Sequence, residues 1–285
     1  MNIYLSSNRQ LRHLWWIAIF FLVLASITVP CIFISQKYIW KITIAHQTLI
    51  VIVATWICQL MRRKPLTEFT GNIDFALVKN CLKGLFVGAA IMLVPALILL
   101  IGGWLSRQNS HFGFTSLLFA TGFFVAVAVA EEFLFRGFIF QRLLASIGIW
   151  GAQLTVAGYF LLIHINNPGM TGTIKLLASI NIFLASMMFS LAFIKTKSLA
   201  MPIGLYFMAN WVQGTLLGFG VSGNEGTSIL KPIFNKAPQW LTGGTFGLEA
   251  SLPGLLSVVL AIIFLYRWKP AGKKSIPAQP RVCSI

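Results

Sequence analysis

Acidic residues are nearly missing from this sequence. Six Asp and Glu stand against 22 Lys and Arg in 285 residues, and charged residues make up only 10%. A soluble domain carries roughly 25%, so these charges are too few to cover a water-facing surface. Disorder is excluded for the opposite reason, because 57% of the residues are hydrophobic and too much needs burying. Cysteine is also scarce. Cys31, Cys58, Cys81 and Cys283 form no C-x-x-C pair and no metal-ligand spacing, which rules out a disulfide scaffold and a zinc ribbon. They read as small membrane apolars or loop residues. The 24 Gly follow no three-residue period, so the chain is not collagen-like. With a mean hydropathy of +0.82, the remaining class is a polytopic membrane protein.

What is present in abundance is apolar sequence between basic loops. Charge-free windows run over about 14–36, 42–61, 84–106, 108–130 continuing to 141, 143–166, 176–194, 198–220 and 250–266. Each is near or above the roughly 17–25 residues that a spanning helix needs. The expected fold is therefore all-α, a transmembrane helix bundle of about eight spanning helices. The first window follows Arg9 and Arg12 without a small-residue cleavage site, so it reads as a signal anchor. Residues 221–248, rich in Gly, Ser and Thr with two Pro, read as a long loop. The division expected is a two-helix region over 1–83, a core over 84–268 and a basic tail over 269–285.

The net charge of 22 − 6 = +16 would suit nucleic acid, but the basic residues lie between apolar segments, as cytoplasmic loops require. No nucleic-acid partner is expected, and lipid is the expected surrounding. Counting Lys and Arg in alternate loops places 15 on one side and 6 on the other. The bias predicts both termini in the cytoplasm, and the absence of long soluble extensions and of glycosylation sequons fits a bacterial plasma membrane.

Three groups of residues interrupt the apolar pattern. Phe123 to Phe140 reads FFVAVAVAEEFLFRGFIF, with Glu131, Glu132 and Arg136 inside one span. Each charge at mid-bilayer costs about 2.5–3.5 kcal/mol on insertion scales, so three together need a reason. Glu132 and Arg136 lie four apart and can pair on one helix face. Glu131 is turned away by about 100° and is free to address a second site. His164, four after Phe160, is the second group. A carboxylate and an imidazole can share a water, one taking its proton and the other positioning it. Tyr206 and Asn210 in GLYFMANW are the third, again four apart, and both can donate hydrogen bonds to an oxyanion. His13, His46 and His111 have no acidic partner in sequence and receive no role.

Together these groups resemble the CAAX-protease and bacteriocin-processing family of intramembrane proteases, also called the Abi family. Its E-E-x-x-x-R motif is matched by Glu131-Glu132-Phe133-Leu134-Phe135-Arg136, and its F-x-x-x-H by Phe160 to His164. Its H-x-x-x-N aligns with Tyr206 to Asn210, with Tyr in place of His. Leu241 to Ser251, LTGGTFGLEAS, is similar to the family's last conserved segment. The resemblance covers roughly 84–268. It implies an endopeptidase acting on a peptide or protein substrate. Glu131 would activate water with help from His164, Asn210 would steady the oxyanion, and Glu132 with Arg136 would hold the site together. Tyr206 keeps a hydrogen-bond donor where the family has an imidazole.

Family members have been described both as metalloproteases and as metal-free. A catalytic zinc normally takes three protein ligands, so the residues here favour no cofactor. If zinc is bound, Glu131 and His164 are its ligands. Two other readings stand beside the protease. A silent relative that binds a peptide or membrane protein, as in immunity to a peptide toxin, is suggested by Tyr206. A transporter with a Glu–His proton relay is the other, though no internal repeat of the transporter kind is visible.

Depth raises a conflict. A straight fourth helix starting near Phe112 puts Glu131 about 28 Å in, and a fifth starting near Trp150 from the opposite side puts His164 about 21 Å in. Two such helices leave the two side chains at different levels.

Overall fold

The computed structural model describes residues 13–110 and 112–269. Arg9, Arg12, His111, Cys283 and all but the first residue of the basic tail lie outside the described residues. The chain is an all-α polytopic bundle, and the protein is an integral membrane protein. Among the described residues, five helical stretches are long and apolar enough to cross a membrane: His13–Lys37 (α1), Ile44–Met61 (α2), Phe75–Ile101 (α4), the composite Phe114–His164, and Gly172–Thr196 (α7). Shorter apolar pieces are Ala200–Asn210 (α8), which continues into a π-helical turn Trp211–Leu216, and Leu252–Arg267 (α10). The α3 turn, Thr67–Thr70, joins α2 to α4.

The charge-free windows misplace several boundaries. α4 begins at Phe75, well before residue 84, because the Asp74 carboxylate accepts from the Leu77 N–H at 3.0 Å and caps the helix. Lys79 and Lys83 then lie within its first turns. The third window also overruns. Leu105–Asn109 is a strand (β1) paired antiparallel with Leu230–Phe234 (β2), Leu105 opposite Phe234 and Asn109 opposite Leu230. The segment expected as loop over 221–248 therefore contains β2 and a short helix, Gln239–Thr242 (α9).

The main correction concerns the fourth and fifth windows. Helix does not stop near 141. It runs as α5 (Phe114–Glu132), through a π-helical stretch (Phe133–Ile139), into α6 (Phe140–His164). The corner falls at Gly148, with φ 74° and ψ −176°. That backbone state is essentially restricted to glycine. The corner removes the depth conflict. Glu131 lies 148 − 131 = 17 residues before it and His164 lies 164 − 148 = 16 after it. At about 1.5 Å per residue the two arms put both side chains about 24–26 Å from the same corner. Phe135 stacks edge-on against Phe160 at 5.0 Å, which is the packing of a folded-back hairpin.

α4 and α8 make the closest helix pair. A Cβ at Gly84 would collide with the Met201 carbonyl, one at Gly88 with the Leu205 carbonyl, and one at Gly204 with the Cys81 carbonyl. Small residues that let backbones touch are the usual glue of membrane helices. Interhelical hydrogen bonds add to it: Thr48 Oγ1 donates to the Ala126 carbonyl at 2.9 Å and Ser257 Oγ to the Ile91 carbonyl at 2.8 Å. α1 fully buries only Phe20 and packs Trp16, Ile19, Val23 and Ile27 partly against the core.

Candidate active site

Glu131 and Glu132 sit where α5 gives way to the π-helical stretch. π-turns are rare and concentrate at functional positions. The two carboxylates diverge, as one helical step dictates. Glu132 and Arg136 are fully buried and paired at 2.9 Å. Arg136 also donates through Nη2 to Ser186 Oγ at 2.7 Å and to the Ser186 carbonyl at 3.0 Å. Its guanidinium lies 5.0–5.6 Å from the ring centres of Phe135, Phe160 and Phe189. The cation is thus held between α5, α6 and α7 by one carboxylate, one serine and three aromatic faces.

Glu131 faces the other way, into a cavity of about 600 Å³. Its Oε2 accepts from the Tyr206 hydroxyl at 2.8 Å, and Oε1 makes no hydrogen bond to a described residue. His164, at the end of α6, lines the same cavity. Its Nδ1 lies 2.7 Å from the Phe160 carbonyl. A carbonyl can only accept, so Nδ1 carries a proton and Nε2 is the ring nitrogen left for a bound group. Asn210 completes this wall and makes no hydrogen bond to another described residue, so its amide is free for a bound group. Glu131, His164, Tyr206 and Asn210 are therefore brought together around one space. Glu132, Arg136 and Phe160 form the packed layer behind it.

One residue of the site was not singled out by its sequence context. Glu249 sits in a short 3₁₀ turn, Leu248–Ala250, before α10. With His164, Tyr206 and Asn210 it borders a second, inner cavity of about 40 Å³, room for roughly a single water. Glu249 Oε1 accepts from the Ser222 N–H, from Ser222 Oγ at 3.1 Å and from Gln213 Nε2 at 3.4 Å. The Asn181 side chain donates to its carbonyl. Ser222 belongs to a tight turn in which Val221 and Asn224 exchange hydrogen bonds at 2.9 and 3.0 Å. Positive φ at Ser222 (49°) and Gly223 (82°) makes it a type I′ turn. The carboxylate thereby ties the turn that covers the cavity to the last helix. The sequence signal was its rarity, one of six acidic residues, set inside the segment that resembled the family's last motif.

Zinc fits this donor set poorly. Among the described residues no three His, Cys, Asp or Glu converge to hold a metal ion. Of the carboxylates, Glu132 is bound to Arg136, Glu249 to Ser222 and one oxygen of Glu131 to Tyr206.

Fold and site together define a helical membrane protein with a water-sized polar centre buried between its spans. The family model described as Type II CAAX prenyl endopeptidase Rce1-like matches residues 113–212, about a third of the chain. That stretch begins just before α5 and ends just past Asn210, so it contains the motif residues from Glu131 to Asn210, while Leu241 to Ser251 lies beyond it. The resemblance to the CAAX-protease family is thereby borne out, and that family is one of intramembrane proteases. A comparison with curated proteins finds no match.

Proposed function

We propose that the protein is an intramembrane endopeptidase in which Glu131 activates a water for attack on a peptide carbonyl. The observation that carries this reading is the Tyr206–Glu131 hydrogen bond at 2.8 Å, which fixes one carboxylate oxygen and leaves the other unengaged in a cavity that His164 also lines. In the reaction, water sits between Glu131 Oε1 and the His164 Nε2 lone pair. Glu131 takes its proton as the hydroxide adds to the carbonyl carbon. The oxyanion is met by the free Asn210 amide, a donor of the kind worth about 10²–10³ in turnover. The proton held by Glu131 then passes to the leaving amine as the C–N bond breaks, so one water is consumed per bond. Tyr206 acts as a positioning residue, because its single hydroxyl proton is engaged with Glu131. No step needs a metal. The termini are assigned to the basic side of the membrane.

The test is Glu131→Gln, nearly isosteric and without a base. Purified wild type and variant are incubated with a peptide library and read by mass spectrometry. The wild type is expected to cleave, and the variant to fold but not cleave. Near wild-type turnover in the variant would remove Glu131 from the role of base. A wild type that binds peptide and never cuts it would favour the silent, peptide-binding relative.

A further inference from the structure

The titratable groups lining the 600 Å³ cavity are Glu131, His164, Tyr206 and Glu225. No Lys or Arg of the described residues lines it. This is notable in a chain with 22 basic residues and six acidic ones. Glu225 lies one residue past the type I′ turn, is exposed, and forms no ion pair with a described residue. Lys231 on β2 borders a separate hollow that it shares with Glu225 and does not line this cavity. The opposite wall is apolar. Phe119, Phe123, Phe124 and Val127 of α5 face the cavity, and Phe119 is 80% exposed. A site of this volume takes a ligand the size of a few residues.

An acid without a partner at the rim, an apolar wall and no cation together fit one kind of peptide. We propose that the cavity selects a segment carrying a cationic group, a Lys or Arg side chain or a free amine, seated at Glu225 with an apolar side chain against α5. The same arrangement disfavours a free carboxylate in the cavity. This rests on the reading of the cavity as the substrate's seat and names the substrate's chemistry. The chain as a whole, at +16, attracts acidic peptides, so a preference for basic ones must arise locally.

Three peptides share one apolar core. One is capped at both ends and flanked by Lys, one is capped and flanked by Glu, and one has no flanking charge but a free N-terminal amine. Their affinities are measured for Glu131→Gln protein, which holds peptide without cutting it, with and without Glu225→Gln or Glu225→Lys. The expected result is a preference of roughly three- to fivefold for Lys over Glu flanks, the scale of an exposed ion pair. That preference disappears in Glu225→Gln and reverses in Glu225→Lys. If the free-amine peptide alone responds to Glu225, the cation is the terminus; if only the Lys peptide responds, it is the side chain. Equal affinities across peptides, a preference indifferent to position 225, or no peptide binding in any arm overturns the proposal. Cleavage by protein with Glu131 intact is followed in parallel. Charge-selective binding without cleavage sinks the protease reading alone, and cleavage without charge preference sinks this one alone.

Discussion

Tyr206 donates its hydroxyl proton to Oε2 of Glu131 across 2.8 Å, joining α8 to the end of α5 at the point where the family resemblance departs from its usual residue. An imidazole at this position could turn between partners, whereas a phenol has one proton and here it is engaged. Tyr206→Phe keeps the ring packed on Phe189 at 5.1 Å but frees Glu131 to rotate. Turnover is expected to fall by about tenfold to a hundredfold, the effect of misplacing a reacting group by around an ångström. KM should change little. Peptide cleavage kinetics measure both, and an unchanged kcat would make the phenol a packing residue.

Arg136→Ala should damage folding more than Glu131→Gln does. It strips the cation from a fully buried Glu132 and leaves the Ser186 carbonyl and hydroxyl without their donor. Breaking a buried pair by removing one partner typically costs about 3–5 kcal/mol. Thermal unfolding in detergent is the measurement. Equal melting temperatures for the two variants would show that the pair is not a structural anchor.

Glu249 can be divided into its two jobs. Glu249→Gln keeps a carbonyl oxygen to accept from the Ser222 N–H and removes the charge. Glu249→Ala removes both. If the carboxylate matters as the tie of the covering turn, Gln stays near wild type and Ala raises KM several-fold. If its charge matters to His164, Gln alone shifts the pH–rate profile. A profile and a KM unchanged in both variants would leave Glu249 outside the working site.

Glu68 supplies a pH-dependent contribution away from the membrane-buried centre. Partial burial pushes its carboxyl up, but hydrogen bonds from Arg62 and Gln59 and the charges of Arg142 and Arg62 outweigh this and bring it to about 2. Arg62 pairs with it at 2.7 Å and Arg142 at 3.4 Å, linking the end of α2 to α6. A folded value below the unfolded 4.5 means that the stabilisation is complete above about pH 4.5. It is lost as pH falls toward 2. The wild-type melting temperature should therefore drop over this interval more than that of Glu68→Gln. Parallel curves for the two proteins would disprove the linkage.

The motif residues were legible because each is costly where it stands. Carboxylates, a guanidinium and an imidazole within apolar runs have few reasons to be there except pairing and chemistry. Glu249 carries no such mark. It lies among Gly, Ser and Thr, where a carboxylate looks solvated, and only the folded chain brings Ser222, Gln213 and Asn181 around it. The Gly148 corner was equally hidden. SIGIWG continues an apolar stretch on both sides, and Arg142, which looked like a loop residue, is buried within the helix against Glu68. Charge spacing thus located what the bilayer penalises and misjudged where the chain turns. Partnered charges extend helices past their apolar windows, as Asp74 does at the start of α4.

The glycine contacts between α4 and α8 decide which wall of the cavity can yield. With Gly84 and Gly88 pressed on the carbonyls of Met201 and Leu205, the two backbones leave no gap into which α8 could retreat. Tyr206 and Asn210 are consequently carried on the fixed jaw of a vice. The opposite jaw, α5, meets α8 and the turn that follows it through side-chain hydrogen bonds, such as the Trp211 indole donating to Thr121 Oγ1 at 3.0 Å. In the proposed reaction, a peptide arriving from the bilayer would part that seam, past Phe119 and Phe123, while the groups it is to meet hold still.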